Sequence, residues 1–285
     1  MLAVLAAEPL LLIGLCAVLG LLVGSFLNVV IYRLPVMMEH RWQRESREIL
    51  GLEPGEDLPA FGLARPGSRC GACGAPIRAW QNIPVLSWLL LRGKAACCGA
   101  PIALRYPLVE LLTGLVSGIC AWHFGYGAAL PGALLLSWAL IALAFIDLDT
   151  QLLPDDLTLP LLWLGLLLAV VGAPVTGIDL PSAVIGAMAG YLVLWLVFWA
   201  FKLVTGKEGL GYGDFKLLAA LGAWLGWQAL PQIILLSSLV GAVSGIAMIA
   251  LQRQQRGAAM PFGPYLAAAG WLALVGVDVL ALFAP

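Results

Sequence analysis

Residues 128–147, AALPGALLLSWALIALAFID, hold no charge until their last position, Asp147. At 1.5 Å per helical residue, the apolar run 128–146 has about the length that crosses a hydrocarbon layer of about 30 Å. Working outward from it, comparable runs predict spans at 10–32, 107–124, 128–146, 157–175, 181–203, 215–231, 232–251 and 264–283. The composition agrees, since 62% of the 285 residues are hydrophobic and 11% are charged, against about 25% charged in a soluble domain. The expected fold class is an all-α polytopic membrane protein of about eight transmembrane helices, with the lipid bilayer as the medium around most of it. A net charge of -1, with no basic stripe interleaved with aromatics outside one loop, argues against a nucleic-acid partner. Residues 1–9 contain Glu8 and no Lys or Arg. The first run therefore lacks the basic start of a signal peptide and is read as a spanning helix.

The basic residues orient the chain. Ten of the fifteen lie between Arg33 and Arg105, three are Lys202, Lys207 and Lys216, and two are Arg253 and Arg256. On an eight-helix path all fall on the side reached after the first helix, which the positive-inside tendency makes cytoplasmic. Both termini then face outward. Three segments are expected: 1–32, the first transmembrane helix; 33–105, a cytoplasmic cysteine-containing loop; and 106–285, a membrane domain. Within the loop, residues 37–50 read as a short interfacial helix that stops at Gly51. No internal repeat or low-complexity tract is evident.

Four of the six cysteines, Cys70, Cys73, Cys97 and Cys98, share that loop. A cytoplasmic loop disfavours disulfides. Four thiols in a segment with little core suit structural Zn²⁺, which thiolates hold tetrahedrally, and the loop is read as zinc-ribbon-like. The adjacent return pair, Cys97-Cys98, is expected to strain such a site.

Carboxylates carry the chemistry, because an acid at membrane depth costs about 2.5 to 3.5 kcal/mol on insertion scales. Asp147 ends the third span, and Asp214 begins the sixth after Gly211-Tyr212-Gly213, where the glycines permit close backbone approach. The topology brings both to one face at one depth. Two adjacent carboxyls cannot easily ionise together, so one stays protonated while the other acts as a base. Such a pair can activate water and hydrogen-bond a scissile carbonyl, which makes Asp147 and Asp214 the candidate catalytic residues of an aspartic peptidase. The competing reading of Asp214 is a helix N-cap. Asp155 and Asp156 are read as caps, Asp149 is the reserve candidate, and Asn28 and Glu110 as polar groups that bond between helices or line the site.

The stretches GSFLNVVIYRLP (24–35), AWQNIPVLSWLLLRGK (79–94), RYPLVE (105–110), IDLDTQLLPD (146–155), VTGKEGLGYGDFKLLAALGAW (204–224) and PFGPYLA (261–267) resemble the type IV prepilin peptidases. These are bifunctional leader peptidases and N-methyltransferases of the bacterial inner membrane. The resemblance implies removal of the leader of prepilins and type II secretion pseudopilins at the cytoplasmic face, with the family's catalytic aspartates at Asp147 and Asp214. It also implies methylation of the new amino terminus with S-adenosylmethionine as donor, an activity associated with the 33–105 loop. The family's second C-x-x-C pair requires cysteine at Ala95 as well as at Cys98, so Cys97 is displaced by two positions. Either Cys97 serves as the fourth ligand or the zinc site is weakened or absent. A rival of another class is a proton- or cation-coupled transporter built on intramembrane aspartates, which should show inverted repeats and broken helices.

Overall fold

The computed structural model describes residues 2–52, 61–207, 209–251 and 260–279. Glu208, Arg253, Arg256 and residues 280–283 of the last expected span lie outside them. Among the described residues every regular element is helical: α1 (Leu2–Ala7), α2 (Pro9–Ile49), α3 (Leu86–Leu90), α4 (Arg105–Phe124), α5 (Ala129–Thr150), α6 (Asp155–Val170), α7 (Leu180–Thr205), α8 (Tyr212–Leu225), α9 (Leu230–Ala250) and α10 (Gly263–Leu274). Each expected span holds one of them. Among the described residues five helices are long and apolar enough to cross a membrane: α2, α4, α5, α7, and α9 with the turn before it. The chain is therefore a multi-pass membrane protein. At 16, 14 and 12 residues, α6, α8 and α10 reach about 18 to 24 Å, short of a full crossing by their helical residues alone.

One boundary differs from expectation. The first span and the interfacial helix at 37–50 are a single helix of 41 residues that runs through Pro35. Proline removes one backbone donor there, but the buried stripe Gly20, Gly24, Leu27, Ile31, Leu34, Met38 keeps its three-and-four spacing across it. Packing on that face outweighs the one lost hydrogen bond.

The chain forms two compact units, Met1–Trp122 and His123–Pro285. In the first, small residues let α2 and α4 cross closely. A Cβ on Gly24 would stand 2.7 Å from the Glu110 Cα, and one on Gly114 would stand 2.9 Å from Leu21. Gly20 and Gly24 on α2, and Gly114 and Gly118 on α4, form the paired small-xxx-small faces on which membrane helices approach.

In the second unit α8 lies at the centre, against α7, α6 and α10. Gly186 of α7 and Gly222 of α8 meet backbone to backbone, so that a Cβ on either would run into the other's carbonyl. The Trp224 indole donates to the Leu161 carbonyl at 2.8 Å and lies on Gly165, tying α8 to α6. Trp271 of α10 donates to the Ser137 hydroxyl of α5 at 3.1 Å. The end of α5 and the starts of α6, α8 and α10 come together through other contacts: Leu153 packs on Gly213 and Gly263, Gly263 bonds Asp147, and Lys216 pairs with Asp155.

Candidate active site and metal centre

Asp147 is the last member of a stripe along α5, Ala133, Leu136, Leu140, Leu143 and Asp147, all buried. The spacing that buries those side chains therefore also buries its carboxylate, which is 5% exposed. The helix ends three residues later at Thr150, and the cap residue Gln151 turns left-handed and donates to the Asp147 carbonyl at 2.9 Å. The side chain reaches the start of α10, and its Oδ2 accepts the Gly263 N–H at 2.8 Å. Asp214, 6% exposed, is the third residue of α8. Gly211 takes the N-cap place, and Asp214 Oδ2 reaches back to accept its N–H at 3.2 Å. Asp214 is therefore not the N-cap itself, and one of its oxygens has no role in capping.

The two acids share a site. Leu153 links them, touching both Gly213, beside Asp214, and Gly263, whose N–H Asp147 holds. A Cβ at Gly263 would sit 2.8 Å from Asp147 Oδ2, so only glycine leaves that oxygen undisturbed. Asp149, two positions further along α5, is exposed and faces elsewhere. Asp155 begins α6 without capping it, and its carboxylate takes Lys216 at 2.7 Å on both oxygens. Lys216 lies two residues beyond Asp214, and the ion pair draws its ammonium to α6. Sequence reading missed Gly263 and Leu153. Gly263 lies within PFGPYLA, but its part is played by a backbone N–H, which residue type does not advertise.

Polar groups of the first unit have partners of their own. Asn28 donates to the Tyr106 carbonyl at 3.1 Å, and Glu110 accepts the Val85 N–H at 2.8 Å. Both serve as interhelical or helix-to-loop bonds.

The four loop cysteines converge, with all sulfurs within 4.8 Å of one another, and can hold one metal ion. Cys97 and Cys98 both reach the cluster because the loop folds as two like knuckles, 69–76 (RCGACGAP) and 94–101 (KAACCGAP). In the first, Cys70 N–H donates to the Ala75 carbonyl at 2.8 Å and Gly74 N–H to the Cys70 carbonyl at 2.9 Å; in the second, Ala95 and Gly99 make the equivalent bonds at 2.8 Å each. Gly74 and Gly99 are both left-handed, at φ 72° and 70°. This short repeat went unread in the sequence. Ala95 occupies the place of Cys70, and Cys97 supplies its sulfur from the place of Ala72, approaching Cys73 at 3.3 Å and Cys98 at 3.9 Å. Backbone N–H groups of Cys73 and Ala72 pull the Cys70 pKa down to about 6, while bonds to Cys73 and Cys70 push Cys97 up to about 12 and Cys98 is raised too, so Cys70 is the thiol that ionises most readily.

Residues 18–124 match the Bacterial Peptidase A24 N-terminal domain, and residues 134–246 match the Type IV leader peptidase family. The chain is 58% identical over 274 residues to the prepilin leader peptidase/N-methyltransferase of Stutzerimonas stutzeri, covering 96% of this chain and 94% of that protein. The chain belongs to the type IV leader peptidase family. Proteins of the same name in Pseudomonas aeruginosa (57% identical, 96% of this chain, 93% of that protein) and Neisseria gonorrhoeae (54%, 93% and 91%) are similar throughout. No solved structure matches. The family names favour the peptidase reading of the acid pair, and nothing in them supports the transporter.

Proposed function

We propose that the chain removes the leader peptide of type IV prepilins and type II secretion pseudopilins at the cytoplasmic membrane face, and then N-methylates the new amino terminus. The observation that carries the peptidase half is the burial of Asp147 and Asp214 on the two sides of Leu153, where the ends of α5, α6, α8 and α10 join. One carboxylate takes a proton from water as the water attacks the scissile carbonyl. The other, protonated, donates a hydrogen bond to the oxygen that becomes an oxyanion. The proton then passes to the departing amine. The Gly263 and Gly211 N–H groups hold one oxygen of each acid, leaving the other oxygens for water and substrate. No nucleophilic side chain takes part.

Zn²⁺ is the proposed ion of the cysteine cluster. Bound at about 2.3 Å to four thiolates, it would separate their sulfurs by about 3.8 Å, and Cys70 and Cys98 stand 3.8 Å apart, Cys73 and Cys97 3.3 Å. Its role is to fix the loop, since hydrolysis at the acid pair needs no metal. For methylation, S-adenosylmethionine supplies an electrophilic methyl group. The new amine's lone pair forms the N–CH3 bond as the C–S bond breaks to leave a thioether, and the amine then loses a proton.

The test is incubation of purified protein with a prepilin, followed by mass spectrometry of the pilin amino terminus with and without S-adenosylmethionine. Intact leader after exhaustive incubation with several prepilins would refute the peptidase assignment.

A further inference from the structure

The chain passes from α5 to α6 through residues 151–154, and both ends of that passage are fixed. Gln151, left-handed at φ 55°, turns the backbone out of α5. Pro154, at φ -59° and ψ 128°, disfavours a helical residue before it, and its carbonyl accepts the Leu157 and Thr158 N–H groups that open α6, at 3.0 Å each. Between these ends, Leu153 reaches the supports of both acids. Leucine forks at Cγ, and both arms are used. A Cβ on Gly213 would stand 2.7 Å from the Leu153 Cβ and 3.3 Å from its Cδ1, while a Cβ on Gly263 would stand 3.1 Å from Cδ2. One methyl thus rests on the residue next to Asp214, and the other on the residue whose N–H holds Asp147 Oδ2 at 2.8 Å. Both of those residues are glycine, so the fork bears on backbone and not on side chains that could swing away.

A second contact pins the fork. Asp155, two residues after Leu153, takes the Lys216 ammonium on both oxygens at 2.7 Å, and Lys216 is two residues after Asp214. The contacts close a ring: along α8 from Asp214 to Lys216, across to Asp155, back along the chain to Leu153, and onto Gly213. With side chains 29% and 53% exposed, such an ion pair adds little stability of its own. What it fixes is where the start of α6 lies against α8.

We propose that Leu153 is a positioning residue of the acid pair: its forked side chain sets the spacing of the backbone segments on which Asp147 and Asp214 are held, and the Lys216–Asp155 pair keeps the fork in place. The inference rests on the peptidase reading given above and adds what spaces its two acids. Water has to lie within reach of one carboxyl and the scissile carbonyl within reach of the other, so a misplacement of about 1 Å is felt in turnover more than in substrate affinity.

The experiment is steady-state cleavage of a prepilin by the full-length protein in nanodiscs, with kcat and KM resolved and melting temperature as the check on folding. Leu153→Ala removes both methyls and should lower kcat about 10²-fold with KM within about twofold. Leu153→Met keeps the volume but loses the fork, and should lower kcat about tenfold. Asp155→Asn and Lys216→Met should each lower kcat about tenfold, and together by no more than either alone, because each breaks the same pair. Adding Lys216→Met to Leu153→Ala should likewise cost nothing further.

Normal turnover by folded Leu153→Ala, or a loss confined to KM, would overturn the inference. Should Leu153→Ala fold poorly, full turnover by Leu153→Met would do the same. A Lys216 that acted through its own charge on Asp214 would show losses that multiply with those of Asp155→Asn and Leu153→Ala, and that result would overturn its part in holding the fork. Wild type that leaves every prepilin leader intact would instead sink the peptidase reading, and the inference with it.

Discussion

At the scale of single residues, the acid pair makes the sharpest demands. Asp147→Asn or Asp214→Asn removes one member of the proposed catalytic pair and should lower leader cleavage by about 10³-fold, a typical general acid-base contribution, with helix content unchanged by circular dichroism. Gly263→Ala is the subtler variant. Its Cβ would press on Asp147 Oδ2 at 2.8 Å and Leu153 at 3.1 Å, and a displacement of that size at a reacting group should cost about 10²-fold in kcat. Normal turnover by Gly263→Ala would refute the close approach. Asp147 and Asp214 were legible in sequence because an acid ending or starting an apolar run is conspicuous whatever surrounds it. Gly263 was not, because its contribution is an amide hydrogen and an absent methyl group, and neither follows from a spacing rule.

At the scale of elements, glycine contacts set how helices cross. Gly222→Val would force α7 and α8 apart where their backbones touch, and overpacking of that kind should destabilise the second unit by about 1 to 3 kcal/mol, read as a lower melting temperature in detergent. The cysteine knuckles yield another prediction. Cys97→Ser should lower bound zinc, measured by elemental mass spectrometry. Adding Ala95→Cys to that variant should restore it, since Ala95 occupies the place that Cys70 fills in the other knuckle. Failure to restore would mean that the two knuckles are not equivalent as ligand carriers. Apolar runs located every long helix, because length and hydropathy are local properties. The continuation of α2 through Pro35 was hidden, since proline is a strong local stop signal and what overrides it is a buried stripe of distant contacts.

At the scale of the whole molecule, the two family models cover different stretches, 18–124 and 134–246, and the two proposed chemistries divide the same way. Chelating the zinc, or Cys70→Ser with Cys73→Ser, should reduce methylation about tenfold by loosening the loop, while cleavage stays within about twofold. Both products are read on one mass spectrum of the pilin amino terminus. Equal loss of both would show that the cysteine loop also serves hydrolysis. A cysteine introduced in the 125–128 turn, in a background lacking the native ones, should react with an impermeant reagent from outside the cell if all the basic residues face inward. The paired knuckles also bear on how relatives are found. A sulfur reaches the cluster from the first rung of one knuckle, Cys70, and from the third rung of the other, Cys97. A pattern of two C-x-x-C pairs would pass over this cluster, whereas two thiols per knuckle describes it.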